Sequence, residues 1–476
     1  MKKQAFNPFL PSYEYIPDGE PRVFNGRVYL YGSHDKFNGI SFCLNDYVCW
    51  SAPVDDLSDW RYEGVIFRRN QAPKPNKGPL NALYAPDVIQ GLDGKYYLYF
   101  FLGYQGYIGV ARCDEPAGQY EFIDKVRYPD GTALGEKDEP LQFDPGVFVD
   151  DDGRVYLYTG FAPYKYPSFL LRGKKAAQKG AMAFELMPDM ITIKSGPKYI
   201  CATKKNSKGS GFEGHEFFEA SSMRKFEGKY YFIYSSFLGH ELCYAVSDKP
   251  DEGFKFGGVL VSNGDIGIYD KAMNYTGNTH GSIAKINDKY YVFYHRQTNR
   301  NQFSRQACAE EIIFENGAFK QAELTSCGLN GGPLKGEGEY PANIACHLYS
   351  KKGAYFYGVF KRRPGCHPYF TQSGKDREHS PDQYIANFCD GATAGFKYFN
   401  MDGANKISIK IRGKAKGVVT VLGNNEEIAQ ITVLPCKMGG VFSSEMKRIW
   451  GKAELSFKFK GKGAFDFISF NLEKIM

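Results

Sequence analysis

One short phrase recurs five times in this chain: a turn built on Gly, Asn or Asp, then a basic residue, then a run of aromatic and β-branched residues. The copies are Asn25–Tyr31, Asp93–Tyr99, Asp152–Tyr158, Glu227–Ile233 and Asn287–Phe293. Each opens with the residues of a tight hairpin and continues with strand formers. A second phrase, Ala111 to Tyr120, returns as Ala245 to Phe254, with a degenerate copy at Ser51 to Trp60. Repeated β units with no helical periodicity between them predict an all-β chain whose first part is a five-bladed β-propeller.

The repeats stop after Cys327. Residues 328–339 are rich in glycine and read as a linker. Residues 340–476 show short alternating segments at Tyr355–Lys361, Ile407–Ile411, Val418–Leu422, Ile428–Leu434, Leu455–Phe459 and Phe465–Phe470, the texture of a β-sandwich of jelly-roll type. The expected division is therefore a propeller over 1–327 and a sandwich over 340–476.

Composition narrows the function. Aromatic residues make up 16% of the chain, with 35 Tyr and 38 Phe but only 3 Trp, which suits strands and surfaces that bind sugar faces. A formal charge of +7 over 476 residues, without a Lys/Arg run, argues against a nucleic-acid partner. No window is apolar enough to span a membrane. The 11 cysteines are scattered and form no C-x-x-C pair, so neither a disulfide framework nor a zinc site is expected. Pro8 and Pro11 interrupt the stretch where a signal peptide would need its apolar run, and the expected location is cytoplasmic.

Aligning the residues upstream of each repeat brings out the chemistry. Asp18 lies eight positions before Gly26, Asp87 seven before Gly94, Asp144 nine before Gly153, Glu219 nine before Gly228, and His280 eight before Asp288. Equivalent positions of successive blades surround a common axis, so four carboxylates and a histidine are expected to converge at one end of it. Crowding like charges raises the pKa of some of them. Glycosidic hydrolysis needs such a set, one carboxyl protonated and one ionised. Metal-assisted hydrolysis would need more histidines, and no nucleophile elbow or H-E-x-x-H stands in a fitting context.

At these residues the sequence resembles glycoside hydrolase family 43, the propeller arabinofuranosidases, xylosidases and arabinanases. Ile16-Pro-Asp18 is similar to the family's general-base segment, Phe143-Asp144-Pro to Gly153 to the segment whose Asp tunes the acid, and Phe218-Glu219-Ala to that of the general acid. Tyr84-Ala-Pro-Asp87 resembles a segment at the substrate rim, with Tyr84 where the family has Trp. Glu20 is a rival base, and Glu213 and Glu216 are rival acids; spacing favours Asp18 and Glu219.

The resemblance implies an inverting mechanism. Asp18 would be the base and Glu219 the acid, with Asp144 keeping Glu219 protonated. It further implies substrate contacts from Tyr84, Asp87, His280 and Arg305, and no cofactor for the chemistry, with His280 a site for a calcium ion. The implied activity is exo-release of α-L-arabinofuranosyl units, and of β-D-xylosyl units, from plant-cell-wall oligosaccharides. A β-xylosidase, an endo-arabinanase or a non-catalytic sugar-binding propeller are the alternatives. The C-terminal part resembles a family-6-type carbohydrate-binding module, its one tryptophan being Trp450.

Overall fold

The computed structural model describes residues 3–73, 82–103, 106–136, 139–164, 174–358, 365–378 and 382–475. The described residues are all-β, with two single-turn 3-10 helices at Gly328–Asn330 and Ala342–Ile344.

Residues 20–312 form five antiparallel sheets in chain order, four of four strands and a last one of three. Within each sheet the strands pair strictly in sequence. The first strands are Glu20–Phe24, Leu83–Gln90, Gly146–Val149, Phe217–Phe226 and Ser282–Ile286. The repeated phrase supplies the turn into the second strand and that strand itself. Three copies make two-residue hairpins, with Phe24 opposite Arg27, Phe226 opposite Lys229 and Ile286 opposite Lys289. Asn25 and Gly26 take φ of 48° and 73°, the left-handed pair that such a loop requires.

Both phrases earn their repetition in contacts between sheets. The last tyrosine of the first copy, Tyr31, donates to the Pro116 carbonyl at 2.7 Å, within the second phrase of the following sheet. Tyr158 does the same to Pro250 at 2.8 Å. A buried phenol needs such an acceptor.

Five apolar cores lie between the sheets. Tyr31 and Leu98 share one, Tyr99 and Leu157 the next, Tyr158 and Phe232 the third, and Ile233 and Val292 the fourth. The fifth joins Val28, Leu30 and Trp50 of the first sheet to Ala284, Phe293 and Ala309 of the last. A parallel bridge between Gly19 and Gly281 links the same two sheets at their inner strands. Full burial of each such aromatic or aliphatic side chain stabilises by roughly 1.5–3 kcal/mol.

A two-stranded hairpin, Phe314–Glu315 with Ala318–Phe319, follows, and the strands after it build two six-stranded sheets around a single core that includes Phe396, Phe457, Ile409, Phe467 and Phe470. The alternating segments expected at 407–411, 418–422, 428–434, 455–459 and 465–470 fall on strands Lys406–Gly413, Lys416–Gly423, Glu426–Val433, Trp450–Lys462 and Ala464–Glu473. Of the segment expected at Tyr355–Lys361, residues 359–361 lie outside the described residues. The described part makes only an isolated bridge from Phe356 to Thr276.

The stretch 328–339 is not a free linker. Leu334–Lys335 pairs in parallel with Thr393–Asp402, and Gly338–Pro341 pairs with Ala464–Glu473. Leu334 is wholly buried in the core between the two six-stranded sheets, which explains why a glycine-rich segment is held in place.

Candidate active site

The residues found by their offset from the repeat meet where the first strands of the sheets converge. Asp18 precedes the strand Glu20–Phe24 and takes φ of 58°; Asp144 precedes Gly146–Val149 with φ of 46°. Left-handed backbone at a non-glycine residue carries strain and is typical of functional positions. Glu219 lies in the strand Phe217–Phe226, where register shifts on both sides of it and φ of 70° at Ala220 mark a bulge that re-aims the side chain. Gly146 allows the close approach of these segments, because a Cβ there would lie 2.4 Å from the Ser221 carbonyl oxygen.

His280 ties the cluster together. Its Nδ1 lies 3.5 Å from Asp144 Oδ2 and 3.9 Å from Asp18 Oδ1, and its Nε2 lies 4.0 Å from Glu20 Oε1. Burial works against a charged imidazole, but Asp144, Asp18 and Glu20 outweigh it and push its pKa up to about 9.

The carboxyl groups are driven in opposite directions. Burial would raise Asp18, yet Arg305 and then His280 overcome it and hold the carboxyl below its ordinary value. Arg305 Nη1 donates to Asp18 Oδ1 at 2.9 Å. Glu219 is pushed up to about 8, first by burial and then by the charge of Asp144. Asp144 is itself raised by burial, against the pull of His280. At neutral pH the site therefore holds Asp18 ionised and Glu219 protonated.

The rival carboxylates are engaged elsewhere. Glu20 Oε2 accepts from Arg224 at 2.7 Å and from Ser222 at 3.0 Å. Glu216 pairs with Lys204 at 2.8 Å and accepts from Ser207 at 3.1 Å, and Glu213 is exposed.

Two expected substrate contacts need correction. Asp87 is completely buried, and its carboxylate accepts from Arg22 at 3.0 and 2.5 Å, from Val147 N–H at 2.9 Å and from Val88 N–H at 2.8 Å. With its lone pairs occupied, it clamps the first three sheets together and has nothing left for a sugar. Arg305 is 2% exposed. Its Nε and Nη2 donate to Asp35 at 2.8 and 3.0 Å, and Nη2 also reaches Cys43 Sγ at 3.7 Å, so it is held as the partner of Asp18 rather than aimed at a substrate.

Tyr84 is half-buried, at one end of an arc of touching rings. Its ring packs on Phe143 at 5.3 Å between centroids. Phe143 meets Phe161 at 5.1 Å, Phe161 meets Phe218 at 5.3 Å, and Phe218 meets Phe237 at 6.2 Å. Phe143 and Phe218 immediately precede Asp144 and Glu219, so an apolar wall flanks both carboxyls.

Sequence reasoning missed Asp35 and His295. His295 donates from Nε2 to the Asn278 carbonyl at 2.9 Å and accepts the Asp18 backbone N–H on Nδ1 at 3.3 Å. That pattern fixes a neutral tautomer, in line with a pKa that burial and Arg305 push down to about 3. Neither residue shares the offset from the repeat, so nothing local marks them.

For a cation, the neighbourhood of His280 offers its Nε2 and Glu20 Oε1, a buried oxygen with no hydrogen-bond partner. Calcium takes six to eight oxygen ligands, so this pair fits a cation that keeps most of its own water, provided His280 gives up its Nε2 proton. Among the described residues, the group whose ligand atoms lie within 4.8 Å of one another is a different one, His215, Glu241 and Cys243. There His215 Nδ1 is already hydrogen-bonded to Glu241 Oε1 at 2.7 Å.

Comparison with known proteins gives a consistent picture. The model of the family described as Glycosyl hydrolases family 43 matches residues 7–319. A xylosidase/arabinosidase of Thermoclostridium stercorarium is 52% identical over 99% of both chains. A xylosidase/arabinosidase of Bacteroides ovatus is 31% identical over 60% of this chain and 87% of its own. Among solved structures, an arabinoxylan arabinofuranohydrolase from Bacillus subtilis, in complex with cellotetraose, shares the fold over 98% of this chain and 97% of its own. Its TM-score is 0.51 at 20% identity.

Proposed function

The chain belongs to glycosyl hydrolase family 43, and from that premise we propose that it releases terminal α-L-arabinofuranosyl units, and β-D-xylosyl units beside them, from plant-cell-wall oligosaccharides with inversion. It is a glycoside hydrolase. The observation that carries the mechanism is the buried cluster in which His280 lies 3.5 Å from Asp144 and 3.9 Å from Asp18 and Arg305 bonds Asp18 at 2.9 Å; it drives two carboxyls apart, Asp18 held below its ordinary value and Glu219 raised to about 8.

In this reading Asp18 takes a proton from the water that attacks the anomeric carbon, while Glu219 gives its proton to the departing oxygen. Asp144 keeps Glu219 protonated until that step, and His280 limits the mutual repulsion of Asp144 and Asp18. The aromatic arc from Tyr84 to Phe237 excludes water from the leaving-group side and offers flat faces to a sugar ring. A hydrated calcium ion, where bound, would be held by Glu20 Oε1 and by His280 Nε2 once that nitrogen has lost its proton, and would then supply the positive charge that the imidazolium supplies without it.

The five sheets and their cyclic run of cores support a five-bladed β-propeller over 1–327. The two sheets around one core support a sandwich of the carbohydrate-binding-module kind after it. All eleven cysteines are free thiols, which suits a reducing, cytoplasmic setting and short imported substrates.

Initial rates on 4-nitrophenyl α-L-arabinofuranoside and on the β-D-xyloside, with proton NMR of the first sugar released, test this reading. Turnover of the arabinofuranoside with the inverted anomer appearing first is expected. Retention of configuration would overturn the mechanism, and turnover of internal arabinan bonds alone would overturn exo action.

A further inference from the structure

Asp18 is set by Arg305, and Arg305 is set by Asp35. These two partners sit on separate loops, Asp35 at the start of 35–45 and Arg305 at the end of 298–305. Both loops lean on the C-terminal unit. Asp376 Oδ1 accepts the Phe37 N–H at 2.6 Å, and its Oδ2 accepts from Asn45 Nδ2 at 3.1 Å. The same Asn45 amide reaches the Asp35 carbonyl at 3.0 Å. Arg377 Nη1 donates to Glu14 Oε1 at 2.6 Å and lies 2.9 Å from His34 Nε2, next to Asp35.

The second loop is held in the same way. Asn299 N–H donates to the Phe370 carbonyl at 2.7 Å, and the Gln302 amide donates to that of Tyr357. The loops are also joined to each other, Asn38 N–H to Ser304 Oγ at 3.0 Å and Asn299 Nδ2 to Asn38 Oδ1 at 3.1 Å. Backbone strain gathers here: Asn38, Cys43, Asn299, Arg300 and Arg377 all have φ between 51° and 58°. Strain of this kind persists where the surroundings over-determine it.

We propose that Asp376 and Arg377 of the C-terminal unit are positioning residues for the general base. They hold loop 35–45 so that Asp35 locks the Arg305 guanidinium onto Asp18. The C-terminal unit is thereby part of the hydrolytic machinery, whether or not it binds sugar. The proposal rests on Asp18 being the base.

The test is steady-state kinetics of the full chain carrying Asp376→Asn, Arg377→Met or Arg377→Lys, with kcat/KM followed across pH and thermal unfolding recorded alongside. Displacing a catalytic group by a fraction of an ångström to an ångström costs about ten- to a hundredfold. We expect a loss of that order in kcat for D376N and R377M, little change in KM, an acidic limb moved to higher pH, and partial rescue in R377K. Asp18→Asn serves as the reference. If D18N keeps parental activity, the base assignment falls. If D18N is inactive while D376N and R377M keep the parental kcat and acidic limb, the proposal falls and the base assignment stands. Should D376N fold poorly, Asn45→Ala removes the amide it holds; an unmoved acidic limb there overturns the proposal equally.

Discussion

Asp144 Oδ2 lies 3.5 Å from His280 Nδ1, so the carboxylate that raises Glu219 is also tempered by a buried positive charge. His280 lowers the proton affinity of Asp18 and Glu219 alike. Replacing it with Asn should therefore move both limbs of the pH profile of kcat/KM toward alkaline pH. A profile that keeps its limbs would show that His280 does not set these groups.

Asp144→Asn removes the charge that, after burial, does most to hold the proton on Glu219. The alkaline limb that the raised Glu219 sets should move to lower pH than in the parent, and kcat at pH 7 should drop by about ten- to a hundredfold. An unchanged alkaline limb would assign it to another group.

Glu219→Gln should lose about 10²–10⁴ in kcat, the usual contribution of a general acid. The loss should be smaller on 4-nitrophenyl substrates, whose leaving group needs no proton. Stability should move the other way. In the unfolded chain Glu219 loses its proton near 4.5, but the folded site holds it up to about 8, so ionisation destabilises the native state increasingly between those values. Above pH 8 the glutamine variant should unfold at a higher temperature than the parent, and the advantage should vanish below about pH 4.5. Equal melting at pH 8.5 would contradict the raised pKa.

Asp87→Asn should damage the scaffold. Leaving Arg22 without its buried partner costs about 3–5 kcal/mol, read as a lower unfolding midpoint in denaturant. KM of the folded fraction should stay near that of the parent, since Asp87 faces no substrate; a selective rise in KM with normal stability would restore it to the binding site.

How much of this was legible in the sequence depends on whether a residue's role follows from its place in the repeat. The phrase announces the hairpin and the second strand of each sheet, and counting back from it finds Asp18, Asp144, Glu219 and His280, which do meet. Asp87 has a similar offset but a different fate, because it lies in the regularly paired part of the strand Leu83–Gln90, opposite Tyr99, whereas Asp18 and Asp144 precede their strands and Glu219 sits at a bulge in its own. In a strand, one position reverses the face to which a side chain points. Arg305 was found but misread, since its partner Asp35 is brought near only by the meeting of the last sheet with the first. The glycines of 328–339 suggested freedom that the pairing of Leu334 removes.

The bridge from Gly19 to Gly281 joins the first sheet to the last, which sets a timetable for the enzyme. Asp18 leaves the ribosome early, but the sheet that brings His280 and Arg305 to it is made only after the four others. Contacts so distant along the chain form late in folding. A partly synthesised or truncated chain thus carries every carboxyl of the reaction without the cations that tune them, and hydrolytic competence switches on only when the circle is complete.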